Sequence, residues 1–263
     1  MWGIVMIGVG FRRELAGWLH GRPEGVDCLE LTAEHFSGGG DERLGRLRER
    51  HALFVHGLGL SLGTPGALDP ERLKHFAEVA EATKARWVSE HIAFTRTAEA
   101  DLGHLNPVPP TRRNVAVIAD HARELADRCR RPVILENITS HLRLDGELSE
   151  PEFLNAICEK ADCGLLLDVT NLFINGRNHA FDPISWLDAL DTSRVRQLHI
   201  VGYSESGGRY QDDHAQAIQP ELLELAGELI SRGTVEAVIL ERDEAIPDAE
   251  AMDLELAKLR ALF

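Results

Sequence analysis

Six residues of this chain recur at one kind of place. His56, His91, Glu136, Asp168, His199 and Glu241 each fall at or near the end of a short apolar run: ALFVHG (52–57), RWVSEHI (86–92), PVILEN (132–137), GLLLDV (164–169), VRQLHIVG (195–202) and VEAVILER (235–242). Imidazoles and carboxylates are ligands for divalent metal ions. Asp212 and His214 stand in an Asp-x-His spacing that can chelate one ion, and Asn171 lies just past Asp168. Asp168 poses the question most sharply, because it follows three leucines, where an unpaired carboxylate is costly. Carboxylates crowded together without cations repel one another and shift toward their neutral forms. Bound metal ions remove that cost by supplying positive charge. The set contains no cysteine, which suits iron, manganese or zinc better than a thiolate zinc site. Its nine members are too many for one tetrahedral ion and predict two or three.

Other polar residues flank these candidates. Asn137, Ser140, Arg242 and Asp243 are read as contacts to a substrate or supports for the ligands. His179, in NGRNHAFD, is read as either touching the site or packing the loop after the sixth run. Glu90 precedes His91, so its side chain is expected to point away from that of His91, inside the barrel or behind the ligands. His20, His51, His75 and His121 sit on or beside predicted helices and are expected to be solvated. Ser61 in GLSLG does not match the GxSxG nucleophile elbow, and no GxxxxGK[ST] phosphate loop is present.

The elements that must position these residues alternate regularly. Two further apolar runs, GIVMIGVG (3–10) and DCLELT (27–32), bring the total to eight. Near-continuous apolar strands of this kind belong to parallel sheets covered by helices. In 111–130, Val115, Ile118, Ala122, Leu125 and Cys129 step by three and four, behind Thr111 as N-cap. The spacing of Ile218, Leu222, Leu225 and Leu229 predicts a helix over 217–231, with Pro220 in its first turn. Helices are also predicted from Asp69-Pro70 to about Ala85, over about 248–262, and as short segments over 41–50 and 183–190. Strand and helix alternating eight times predict an α/β fold, a single-domain (β/α)8 barrel over residues 1–263. An open doubly wound sheet is the alternative, but no GxGxxG follows the first run. The stretches 57–68, 95–110, 137–148 and 202–216 read as irregular loops on the face where barrels keep their chemistry. Glycines in 205–208 suggest a mobile lid there.

Bulk properties narrow the partners. A formal charge of -15 argues against nucleic acid and against anionic membrane surfaces. No apolar run is long enough to span a bilayer, and MWGIVMIGVG lacks the features of a signal peptide. Cys28, Cys129, Cys158 and Cys163 form no CxxC pair and no evident disulfide framework, so a cytoplasmic location is expected.

Taken together, GVGFRREL, HGLGLSLG, SEHIAF, LENITS, LLDVTNLFINGRNH, QLHIVGY, DDH and LERD are specific where each alone would be weak. In that order, from about Gly8 to Asp243, the chain resembles the multinuclear non-heme iron-dependent oxidative enzymes, relatives of the methanobactin-biosynthesis oxidase. The resemblance implies a barrel of the xylose-isomerase-like superfamily holding two or three iron ions in mixed Fe(II)/Fe(III) states. It implies an enzyme that uses dioxygen to oxidise side chains, often Cys, of ribosomally made precursor peptides, commonly with a small peptide-recognition partner protein. By motif, His56 and His91 would bind one iron and Glu136 would bridge it to a second. Asp168, His199 and Glu241 would complete the second site, and Asn171, Asp212 and His214 would form the third. DDH stands where Asp-Thr-His is usual, DVTN where DVNN is commoner, and HLNPVPPTRR is a looser form of a Leu-Pro-rich loop. More distantly the layout resembles endonuclease IV and the sugar isomerases. A zinc phosphodiesterase or a sugar isomerase is therefore the alternative function, although Asn171 stands where the endonuclease pattern has His.

Overall fold

The computed structural model describes residues 5–263 apart from 22, 24 and 98; the first two residues of the predicted run 3–10 lie outside these. The chain begins with β1 (Met6–Gly10), α1 (Ala16–His20), β2 (Cys28–Thr32), α2 (Glu42–Arg48), β3 (Ala52–Gly57) and α3 (Pro70–Thr83). Next come β4 (Val88–His91), a hairpin of β5 (Phe94–Arg96) and β6 (Asp101–Asn106), α4 (Arg112–Cys129), β7 (Val133–Glu136) and α5 (Glu150–Ala161). After β8 (Gly164–Asp168) follow α6 (Val169–His179), α7 (Pro183–Asp188) and β9 (Val195–Ile200). A second hairpin, β10 (Gly202–Ser206) and β11 (Arg209–Gln216), leads into α8 (Pro220–Arg232), β12 (Ala237–Leu240) and α9 (Ala249–Arg260). Eight parallel strands close into a barrel in the order β1-β12-β9-β8-β7-β4-β3-β2. This is the predicted (β/α)8 architecture.

Alternation along the strands builds the interior in layers. Cys28, Phe54, Trp87, Ile134, Leu166, Ala237 and Ile239 form an apolar cluster inside the barrel, with Phe54 stacked on Trp87 at 4.2 Å between ring centroids. Two residues further along, the same faces present Glu30, His56, Ser89, Glu136, Asp168 and Glu241. The intervening residues, such as Leu29, Val55, Leu135 and Leu167, face the helices in the main core. Register sets the polar layer side by side: His91 pairs with Glu136 and Asp168 with His199. The barrel's C-terminal mouth is therefore polar above an apolar plug.

The helices start where their caps dictate. Asp69 accepts from the amides of Glu71 and Arg72 at 3.0 and 3.1 Å, and Thr111 accepts from that of Asn114 at 3.2 Å. Three helices were not expected, the short α1 among them. α5 opens on a Ser149–Glu152 capping box, and α6 follows β8 without a loop. Asp168 ends the strand and also caps that helix, accepting from the Asn171 amide at 2.7 Å. The stretches 95–110 and 202–216 are not irregular throughout, because each carries an antiparallel hairpin. Gly207 and Gly208, read as part of a lid, are the tight turn of the second hairpin, with φ of 61° and 76° that side chains rarely adopt. His121 is not solvated. It is 5% exposed, with Nδ1 2.8 Å from the Leu62 carbonyl and Nε2 2.7 Å from that of Gly66, so it pins loop 57–68 to α4.

Candidate metal centre

The ends of β3, β4, β7, β8, β9 and β12 bring six of the predicted ligands together. Among the described residues, three groups of ligand atoms lie within 4.8 Å of one another. They are His56, His91 and Glu136; Glu136, Asp168, His199 and Glu241; and His214, Glu241 and Asp243. The first two share Glu136, and the last two share Glu241. Glu136 and Asp168 are 2% and 1% exposed, and His199 is fully enclosed.

Hydrogen bonds fix which nitrogen each imidazole presents. The Ser89 hydroxyl contacts the Val55 carbonyl at 3.5 Å, so it accepts from His56 Nδ1 at 2.8 Å and leaves His56 Nε2 bare. His91 Nδ1 lies 3.2 Å from the Gly57 carbonyl, which can only accept, so His91 Nε2 is bare as well. Both bare nitrogens lie 3.3 Å from Glu136 Oε2, a buried oxygen with no hydrogen-bond partner. Two lone pairs facing a carboxylate oxygen need a cation between them. His199 repeats the pattern from the other ring atom. Its Nε2 meets Glu30 Oε1 at 2.6 Å, which turns Nδ1 toward Glu136 and Glu241, each at 3.0 Å. Supports of this kind orient metal-binding histidines and raise their basicity.

In the metal-free chain, protons carry the charge that cations would supply. Burial, then Asp212 and Glu136, push Asp168 well above the carboxylate range. Burial opposes the charge on His199, yet Glu30, Glu241 and Glu136 outweigh it and raise its pKa well above the usual value. His91 is held up to about 9, its desolvation overcome chiefly by Glu136 and Glu90. Desolvation also opposes charge on His214, but Asp212, Asp243 and Glu241 lift it to about 12. His56 goes the other way: burial and then His91 and His199 keep its pKa well below normal. Glu241 is held well below the carboxylate range, burial being outweighed by His199 and His214. Anionic donors, bare imidazole nitrogens and an orphaned carboxylate oxygen together fit divalent metal ions.

The remaining candidates are placed as follows. Asp212 Oδ1 lies 2.9 Å from His214 Nε2 on β11, and Asp243 Oδ2 lies 3.2 Å from His214 Nδ1. Asn171 is buried, but its side chain is engaged with the 137–139 segment: Oδ1 accepts from the Thr139 hydroxyl and Nδ2 donates to the Asn137 carbonyl at 3.1 Å. Asn137 bonds the backbone of Asp168 in both directions, at 2.8 and 3.1 Å, as a strand neighbour would. The Ser140 amide donates to Asn175, and the Ser140 carbonyl meets His179 Nε2 at 2.7 Å. Asn137, Ser140 and His179 also line a cavity of about 520 Å³ beside the mouth, with Leu148, Phe153 and Trp186. Arg242 turns away toward α9; its Nη2 donates to the Ala245 carbonyl at 3.2 Å and its Nη1 lies 3.9 Å from Glu255. Glu90 contacts His91 after all, with Oε1 2.9 Å from its amide and 3.4 Å from its Nδ1, while Oε2 accepts from Leu60.

Sequence reasoning passed over Glu30 and Arg12. Glu30 carried a usable signal, an acid inside the apolar run DCLELT, which raises the same question as Asp168 after its leucines. Arg12 carried none, because it lies in the turn after β1 and reaches the mouth only through the fold.

A parallel (β/α)8 barrel whose C-terminal mouth gathers buried histidines and carboxylates defines the class of fold and site. Within that class the chain belongs to the family described as RiPP precursor modification enzyme MbnB/TglH/ChrH, whose model matches residues 6–263. A relative named UPF0276 protein from Rhizorhabdus wittichii is 33% identical over 260 residues, covering 96% of this chain and 94% of its own. Among solved structures, endonuclease IV from Thermus thermophilus is similar with a TM-score of 0.63 and 17% identity, over 97% of this chain and 99% of that one. A xylose isomerase domain protein from Planctomyces limnophilus is similar with a TM-score of 0.60 and 14% identity, over 98% and 95% of the two chains. At those identities the likeness concerns the fold alone. Among the described residues, no helix is long and apolar enough to cross a membrane.

Proposed function

We propose that the chain is an iron- and dioxygen-dependent oxidase of a side chain, above all Cys, in a ribosomally made precursor peptide. The observation that carries this reading is Glu136, one carboxylate shared by two clusters that together hold three histidines. A carboxylate shared by two clusters of imidazoles and carboxylates suits a pair of ions better than a single one, and iron is the ion expected by motif. His56, His91 and Glu136 would hold one iron, and Glu136, Asp168, His199 and Glu241 a second. By motif Asn171, Asp212 and His214 would hold a third ion, while the ligand atoms that converge on the Nδ1 side of His214 are those of Glu241 and Asp243. Bound iron would supply one-electron chemistry with dioxygen and an open position for a substrate thiolate.

The chain's own residues supply the rest. Ser89, Gly57 and Glu30 keep the three imidazoles in the ligating tautomer. The apolar plug below the ligands keeps water from the floor of the site. The cavity beside the mouth would take the peptide, with Asn137, Ser140 and His179 along its wall. Asp243 would act at the ligand end, and Arg242 would hold the turn after β12. A separate peptide-recognition protein would deliver the substrate, in the cytoplasm. The test is dioxygen uptake by the iron-loaded chain with a Cys-containing peptide. Uptake that requires the peptide, and stops when its Cys is replaced by Ser, is the expected result. Metal-dependent phosphodiester hydrolysis or sugar isomerisation without oxygen uptake would replace this reading with the alternative.

A further inference from the structure

The three clusters differ in one respect. Among the described residues, Glu136 and Asp168 pair only with histidines or hydrogen-bond donors, and neither has an Arg or Lys within ion-pair distance. The third cluster does have one, on Asp243 and on the Glu241 that it shares with the second cluster. Arg12 Nη2 lies 3.3 Å from Glu241 Oε1 and pairs closely with Asp243 Oδ1. Its Nη1 donates to the Phe11 carbonyl at 3.0 Å, which fixes the guanidinium over the mouth. Its side chain is 12% exposed.

The backbone leaves room for this arrangement. Gly10 ends β1 directly below Arg12. A Cβ there would stand 3.2 Å from Arg12 Nη1 and 3.6 Å from Glu241 Cγ, tight enough to press on the guanidinium. Arg12 also divides the oxygens of both carboxylates. Glu241 gives Oε2 to His199 and Oε1 to Arg12. Asp243 gives Oδ2 to His214 and Oδ1 to Arg12. An ion joining His214 to these acids would share them with a fixed positive charge. Two cations that close in a poorly solvated site repel strongly.

We infer that Arg12 is the built-in third cation of this centre, so that the chain keeps two resident metal ions and admits a third beside His214 only when the guanidinium leaves Glu241 and Asp243. This deepens the proposed function and rests on its reading of the mouth as an iron centre. Arg12 is thus a positioning residue. In the two-ion state it holds Glu241 for the second ion, and its departure would open the third position.

The test is crystallography of the anaerobically iron-loaded chain at the iron absorption edge, paired with Fe(II) titration against a chelator. The wild-type chain should show one peak at His56, His91 and Glu136 and another at Glu136, Asp168, His199 and Glu241. Any third peak, raised by excess Fe(II), should coincide with an Arg12 side chain swung off Asp243. In Arg12→Ala the third peak should appear without excess iron, and the third Fe(II) should bind at least about tenfold more tightly, an effect of the size that groups around a ligand shell exert. A third peak in the wild type with the Arg12–Asp243 pair intact overturns the inference, and that arm does not depend on how the variant folds. Equal third-ion affinity in wild type and Arg12→Ala also overturns it. A wild-type chain with no peak at the first two clusters removes the iron-centre reading itself.

Discussion

Asp168 illustrates how single residues in this mouth are governed. Its carboxylate follows three leucines, caps a helix, and lies close enough to Glu136 and Asp212 for each to raise its pKa. Without a cation, protons must carry the compensating charge, and this gives the metal-free chain a distinctive pH response. His91 has a folded pKa of about 9, above the ordinary 6.5, so its contribution to stability is fully present below about pH 6.5 and is lost as the pH rises through about 9. His214, raised to about 12, and Asp168, raised well above its usual range, act in the same direction. Thermal unfolding of the metal-stripped chain should therefore show a midpoint that falls across this window. The metal-loaded chain should not show that fall, because ions replace the protons. Equal pH profiles for the two forms would contradict the account. Glu30 makes a second prediction at this scale. Glu30→Gln keeps the shape but loses the charged acceptor at His199 Nε2, and should weaken ion binding at that cluster by about 10- to 100-fold with little change in fold. Chelator competition measures it, and unchanged affinity would refute the supporting role.

At the scale of elements, the clearest signals were periodic ones. The barrel strands were legible because each buries both faces and so reads as an unbroken apolar run. α4 and α8 were legible from their stepped apolar positions, although both observed helices are a little shorter than predicted. α6 was not legible, because Leu172 and Phe173 continue the apolar character of β8 with no turn residue between them, and one aspartate does the work of both boundaries. α5 was passed over although Ser149 and Glu152 spell out its capping box. Both hairpins hid behind polar, exposed strands such as DLGHLN and RYQDDHAQ, which have no buried face to create alternation. The ligands at strand ends could be named in advance because their position follows from the strands. Arg12 depends on how the turn after β1 folds over the mouth, and no pattern records that; Asp243 was named only as a supporting contact, because its place among the ligand atoms follows from the turn after β12. α6 also anchors the loop beside the site through Asn175, which accepts from the Ser140 amide at 3.0 Å and donates to the Ile138 carbonyl at 2.8 Å. Asn175→Ala would leave both groups unpaired and should cost about 2–4 kcal/mol in urea denaturation. A loss below about 0.5 kcal/mol would show that the loop stands without this anchor.

The whole molecule combines a strongly acidic surface with an acidic mouth. The charge of -15 disfavours polyanions at any approach. Duplex DNA should show no retardation by the chain at physiological salt, and salt-dependent binding would instead favour the endonuclease-like alternative. The fold is shared with proteins of other activities, so function has to be argued from the site. Here the site consists of two enclosed clusters sharing Glu136 and a third, more open one whose acids pair with Arg12. The measurement closest to the central claim is the metal content of the chain after anaerobic iron loading and removal of loosely held ions. The account predicts about two tightly held irons per chain, drawn by paired imidazole–carboxylate sites of the kind that suit this ion. Less than one iron per chain, or only tightly held zinc, would contradict it.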